Sequence, residues 1–344
     1  MVIAGLALIM SLTLLLPFSV KRVEEELEAF LLVMGSLAAG ISGVWTLHLL
    51  QEALTEPVKI TLAVLFIGFV FRYMRRRIRT TVDILIKSAG RPLAVFIMTI
   101  ALGLASSVIT AIIAALVLAE IVTALQLDRK YEVRFTVCAC LAIGLGAALT
   151  PIGEPLATIA VSKLRGPPHN ADFFYLLRML WFWIIPGILV CAAAASWKIG
   201  RRVSESKSLC EDAPEKDRDI VLRAVKVYIF VAALVLLGAG LSPLAEKSLV
   251  SIPTWALYWI NSVSAVLDNA TLVAAEIVPS MSRGQITFLL MGLIISGGML
   301  IPGNIPNIIS ASKLGIKSRE WAAVGVPLVA AMMAVYFAAL MLVL

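Results

Sequence analysis

Charge is scarce in this chain. Only 15% of its 344 residues are Asp, Glu, Lys or Arg, against 60% hydrophobic residues; an ordinary soluble domain carries about 25% charged residues. That scarcity excludes a soluble globular, a disordered or a fibrous protein. Cysteine is scarce too. Cys138, Cys140, Cys191 and Cys210 make no disulfide framework, and Cys138-x-Cys140 has the wrong spacing for a zinc or redox pair. Three of them lie in apolar runs, where cysteine acts as a small hydrophobe. There are two histidines, His48 near a membrane edge and His169 in a loop. Neither is placed for a Ser–His nucleophile or a central proton relay. An intramembrane aspartyl protease needs two deep Asp residues, and only Asp268 qualifies, so an enzyme is not expected. No GxxxxGK[ST] run occurs, so no ATP-driven step and no ATPase subunit are implied. The net charge of +7 is no nucleic-acid signal; in an apolar chain the basic surplus sits in cytoplasmic loops. The first apolar run lacks a basic leader and a small-residue cleavage site, so it reads as a retained span.

What the chain has is long apolar runs, with a mean hydropathy of +0.97. Eight spans of about 20 residues would fill about half of it. The fold class is an all-α polytopic membrane protein: about eight transmembrane helices plus two re-entrant hairpins, in two inverted repeats with broken helices. Residues 1–56 read as two N-terminal spans, with Gln51–Lys59 a short acidic loop. Residues 57–200 form repeat one: a span, a hairpin over 91–125, a broken helix over 133–164, and a span. Within it, Thr80–Gly90 reads as an amphipathic linker at the interface. Residues 201–219 are a polar cytoplasmic loop, and 220–344 repeat the order, with a hairpin over 251–281 and a broken helix over 285–314. A 34-residue apolar run such as Pro92–Leu125 is long for one span and short for two, which suits two half-length legs meeting at a small polar tip.

The repeat is legible in short matches. Gly146-Ala-Ala-Leu-Thr-Pro151 answers Gly297-Gly-Met-Leu-Ile-Pro302, Pro151-x-x-x-Pro155 answers Pro302-x-x-x-Pro306, and Ser162-Lys-Leu164 answers Ser312-Lys-Leu314. The tips match in order, Ser106…Thr110-Ala111 with Ser264…Asp268-Asn269, and Ala119-Glu-Ile-Val122 recurs as Ala275-Glu-Ile-Val278. Three crossings per repeat put the repeats in opposite orientation, the signature of a secondary transporter with its site at the repeat interface. With both termini outside a cell (plasma or inner) membrane, 23 of the 29 basic residues fall on the inner side, as the positive-inside rule asks.

Acids inside apolar segments are costly and therefore functional by default. There are four: Glu120, Glu154, Asp268 and Glu276. Asp268-Asn269 lies at a hairpin tip, where a carboxylate, an amide and exposed carbonyls are hard ligands for Na+ or a similar cation; a turn cap is the bland reading. Glu154 lies in the break Thr150-Pro-Ile-Gly-Glu-Pro155, where prolines and glycine free backbone groups that only protein or a wet cavity can satisfy. Its bland reading is a helix-cap carboxylate. Thr150, Ser106, Ser107 and Thr110 supply neutral oxygens on that side, Ser264 lies in the second tip, and Asn304 and Asn307 lie in the second break. Each Ser or Thr taken alone is a packing residue bonding its own helix. Glu120 and Glu276 are symmetry mates, and snorkelling to the headgroups competes with a buried role.

Ser264-Ala-Val-Leu-Asp-Asn-Ala-Thr-Leu-Val-Ala-Ala275 is similar to the S-A-x-x-D-N-x-x-x-V-A-A hairpin of NhaD-type sodium/proton antiporters, and Thr150-Pro-Ile-Gly-Glu154 resembles their S-P-I-G-D break. That family belongs to the ion transporter superfamily, with arsenite exporters and sodium/dicarboxylate carriers, and the short chain looks like its small predicted cation transporters. The resemblance covers about residues 57–344. It implies a homodimer with a scaffold and a transport domain, and roles for Asp268, Asn269, Thr150, Gly153 and Glu154. One departure stands out: relatives carry a D-N pair in the first tip as well, where this chain has Thr110-Ala111.

The expected function is a cation (Na+)/proton antiporter working in a lipid bilayer, with no cofactor beyond the transported or coupling Na+. Two rivals remain: a Na+- or proton-coupled anion, dicarboxylate or arsenite-type carrier, and a non-transporting receptor or assembly protein.

Overall fold

The computed structural model describes residues 2–20, 22–23, 26–197, 199, 217–249, 253–262, 269–277 and 279–344. Among them there is no strand. Helix α1 spans Val2–Ser19, α2 Leu27–Ser42 and α3 Leu47–Ala89. Gly43 ends α2 in the left-handed conformation (φ 71°) that glycine adopts at no steric cost. Thr46 restarts the chain, its hydroxyl accepting from the Leu49 N–H at 3.1 Å. Helix α3 then runs for 43 residues through Pro57. The expected acidic loop at Gln51–Lys59 lies within this one helix, as does the expected interfacial linker at Thr80–Gly90 up to its capping Gly90, and a boundary at residues 56/57 falls inside it. Hydropathy marks where a helix leaves the apolar layer, not where its backbone hydrogen bonds stop, so the polar ends of a long helix read as loops.

The first hairpin has legs α4, Arg91–Ile109, and α5, Ala111–Leu125. Its first leg is long and apolar enough to cross a membrane, a correction to the half-length leg expected there. The broken helix consists of α6, Arg129–Ala147, and α7, Pro155–Lys163, followed by α8, Tyr175–Ser196. In the second half, α9 spans Asp217–Leu249, α10 Thr254–Ile260 and α11 Asn269–Glu276. The second broken helix is α12, Arg283–Ser296, a 3-10 turn at Ile301–Gly303, and α13, Ile305–Leu314; α14, Ser318–Val343, is last. Among the described residues four helical stretches are long and apolar enough to span a bilayer: α4, α8, residues Ala224–Leu241 of α9, and α14. With the shorter apolar helices α1, α2, α5 and α12 this is the architecture of an α-helical membrane protein.

Packing follows the order of the chain twice. α3 lies on α5, α4 on α6, α6 on α8 and α5 on α13. In the second half α9 lies on α11, α10 on α12, α12 on α14 and α11 on α7. Each short half-helix therefore packs on the hairpin leg of the other half. The core sits between the broken helices and α8 and α14, around Leu141, Leu145, Leu289, Leu293 and Met333. Helices α1, α2, α3 and α9 pack on one another, and α3 and α9 also carry the contacts to the hairpin legs α5 and α11.

Candidate functional site

The two breaks are built alike. In each, a helix stops, a few turn residues follow, and one extended residue precedes a half-helix with proline in its first turn. Glu154 (φ −156°, ψ 160°) precedes Pro155, and Asn304 (φ −155°, ψ 146°) precedes Ile305-Pro306. Proline suits the first turn of a helix, where its missing N–H is not needed. By backbone conformation Glu154 thus answers Asn304; laying proline on proline in the sequence pairs it with Ile305 instead.

The first tip closes onto the first break. The Thr150 hydroxyl donates to the Ser107 carbonyl, and the Ala111 N–H donates to the Gly153 carbonyl at 2.9 Å. Thr110, between the legs, has φ 75° and ψ 150°, a region essentially reserved for glycine and costing about 1–3 kcal/mol elsewhere. Its hydroxyl accepts from the Ile113 N–H at 3.4 Å. Ser106 is fully buried and donates to the Gly103 and Ile143 carbonyls at 2.7 and 2.9 Å. Its hydroxyl therefore ties α4 to α6. The helices touch there because Gly103 and Gly146 meet; a Cβ at Gly146 would collide with the Gly103 carbonyl. Gly153 is likewise forced, since its Cβ would run into the Ala147 carbonyl.

The second break gathers amides. Asn269 opens α11 and lies against Gly297, where a Cβ would come within 2.5 Å of its Nδ2 and 2.9 Å of its Oδ1. Asn307, in the first turn of α13, donates from Nδ2 to the Gly297 and Leu300 carbonyls, both at 2.9 Å. Asn304 rests its amide on Gly144 of α6, so the second break touches the helix that leads into the first. Both amide atoms of Asn269 and the Oδ1 of Asn307 are buried with no hydrogen-bond partner among the described residues. Buried polar atoms left this way are rare and ask for a reason. Glu154 is also buried, at 6% exposure. Asp268 and Ser264 lie outside the described residues.

Glu120 and Glu276 are inside the protein, at 6% and 5% exposure. Glu120 accepts from Lys313 Nζ of α13 at 2.6 Å, and Glu276 accepts from Asn261 Nδ2 at 2.9 Å. The headgroup-snorkelling alternative for the pair fails on this packing. The sequence signal was present: Lys163 and Lys313 sit at matching places in the repeat, but spacing alone does not show which leg each reaches. His169 is a second residue that sequence reasoning missed. It is buried and its Nε2 lies 3.1 and 2.8 Å from the Pro279 and Met281 carbonyls. Carbonyls only accept, so Nε2 carries the proton, and the Tyr175 hydroxyl meets Nδ1 at 3.0 Å. This ties the α7–α8 loop to the turn after hairpin two. At the other end Arg129 does the same for the α13–α14 turn, bonding Glu320, Leu314 O and Gly315 O. Cys138, Cys140 and Cys191 are buried free thiols, and Cys140 donates to Ser310 Oγ of α13 at 3.3 Å. Among the described residues no three His, Cys, Asp or Glu side chains group to hold a metal.

No curated protein matches the sequence. The profile of one family does match, over residues 3–343, and the chain belongs to that family, DUF1646, described as a protein of unknown function.

Proposed function

We propose that the protein is a secondary active transporter exchanging a small cation for protons, with its site between the second hairpin tip and the two helix breaks. The observation that carries this reading is the Asn269 amide and the Asn307 Oδ1, buried near Gly297 without a hydrogen-bond partner among the described residues. Amide oxygens, a carboxylate from Glu154 and main-chain carbonyls are hard donors suited to Na+ or a similar cation. Asp268 stands next to Asn269 in the chain and adds a second carboxylate to the proposed set. Irregular backbone in a membrane is tolerated only against protein or a wet cavity, and paired breaks in matching halves are the usual mark of a transport site. In this reading the halves are inverted repeats, both termini face outward, α1, α2, α3 and α9 are the scaffold, two copies pair through it, and the NhaD-type antiporters are distant kin.

A second reading has its own support. Helices α5, α7, α11 and α13 all begin at the tips and breaks, and helix N-termini favour anions. This points to an anion carrier, although neither break carries a lysine or arginine.

The test is flux in proteoliposomes under an imposed pH gradient, scanning Na+, Li+, K+, Mg2+ and several anions. Cation-dependent collapse of the gradient, lost in Asn269→Ala and Asp268→Asn, is the expected result. Flux driven by anions and indifferent to protons moves the protein to the carrier reading. Full exchange in both variants and in Glu154→Gln overturns the site.

A further inference from the structure

The two halves treat matching residues differently. Each hairpin carries Ala-Glu-Ile-Val near its end, at 119–122 and 275–278, and each half-helix carries Ser-Lys-Leu at its end, at 162–164 and 312–314. Each half-helix packs on the other half's leg, α13 on α5 and α7 on α11. On one side the lysine holds the glutamate: Lys313 Nζ to Glu120 Oε1, 2.6 Å, with side chains 13% and 7% exposed. On the other side Lys163 Nζ donates to the Ile277 carbonyl at 3.4 Å, one residue beyond Glu276. Glu276 takes its hydrogen bond from Asn261 instead, and the Asn261 carbonyl is fixed by Ser296 Oγ at 2.8 Å.

A carboxylate removed from water needs either a cation or a proton. Glu120 has the cation. We propose that Glu276 is a proton site: it carries a proton while Asn261 holds it and, on losing that proton, draws Lys163 from the Ile277 carbonyl into the pairing that Lys313 already makes with Glu120. The proposal rests on the transporter reading and names where its proton travels. The elements packed on α11 are α7, α9, and α12. Their charged or titratable groups are few. Lys163 ends α7, and Arg283 opens α12 beside the Tyr175 hydroxyl. On α9, Lys226 pairs with Glu28, Tyr228 bonds the Leu54 carbonyl, Asp217, Arg218, Asp219 and Arg223 precede them, and Glu246 and Lys247 lie near its end.

The test is an infrared pH titration of the purified full-length protein, following the protonated carboxyl stretch. The expected result is a component of that band that vanishes at alkaline pH in the wild type and is missing throughout in Glu276→Gln. Lys163→Gln, a change at an exposed lysine, should move its midpoint to higher pH by about one unit, because a neighbouring cation favours the charged carboxylate by about that much or more. This second variant carries the test if Glu276→Gln does not accumulate. An unchanged titration in Glu276→Gln, or an unmoved midpoint in Lys163→Gln, overturns the proposal. The titration needs no transport: if the Glu276 band behaves as expected while proteoliposomes show no ion-driven proton movement, the proton site stands and the transporter reading falls.

Discussion

Removing Lys313 should be among the most damaging single changes in this protein. The Lys313–Glu120 pair joins α13 to α5 at 2.6 Å, with both side chains largely out of solvent. Coulomb attraction does not make such a pair a large net gain, because both charges were taken out of water to form it. Breaking it is another matter, since Lys313→Met leaves Glu120 in the interior, with the loss falling at about 3–5 kcal/mol. That is roughly two to nearly four orders of magnitude in the unfolding equilibrium. Removing both charges together, as Glu120→Leu with Lys313→Met, should recover most of the loss, because two apolar side chains of similar volume are often as stable as the pair. The assay is a double-mutant cycle by reversible unfolding in mild detergent. A loss under about 1 kcal/mol for Lys313→Met, the level of a solvated pair, would refute the reasoning. So would a double variant as unstable as the sum of the singles.

Three further outcomes follow from packing and exposure. Gly146→Ala should not accumulate as folded protein, because its methyl meets the Gly103 carbonyl and two backbones cannot yield as a side chain can. Gly297→Ala should fold with a loss of about 1–3 kcal/mol, the usual cost of an extra methyl in a packed site, while pushing Asn269 aside and lowering ion flux; thermal unfolding and flux on the same preparation check both. Asp172 pairs with Arg178 at the same 2.6 Å as the buried pair, but the side chains are 55% and 61% exposed. The Arg178 hydrogen bond holds the Asp172 carboxyl below its ordinary range. Its contribution is therefore present at neutral pH and lost as pH falls through the lowered value, but solvent screens it. Asp172→Asn should leave the unfolding temperature unchanged within error at neutral pH, and a clear drop would show that the pair is not simply solvated.

Much of the fold was legible because hydrophobic length and proline act locally. The apolar runs fixed the helical membrane class, and the proline-glycine breaks at 150–155 and 301–306 fell in the stretches that follow the ends of α6 and α12. The tip at Thr110 was legible from a small polar cluster between two apolar legs. The loop expected at Gln51–Lys59 was misread because charge density was taken for chain reversal; no residue there ends a helix, and Pro57 is accommodated inside α3.

The candidate site was half legible. Asn304, Asn307 and Asn269 were singled out by residue type and position, and packing brings their amides to Gly144 of α6 and to Gly297 at the end of α12. Ser106 and Thr150 were singled out as oxygens, and the tertiary structure spends their protons on helix carbonyls. By itself the sequence determined the class and the residue types in the breaks, because each depends on neighbours along the chain. The crossing of each half-helix onto the opposite leg came only from the tertiary structure, and with it the different fates of Glu120 and Glu276. Identical tetrapeptides carry no record of which lysine, approaching from the other half of the molecule, will stand close enough to share a charge.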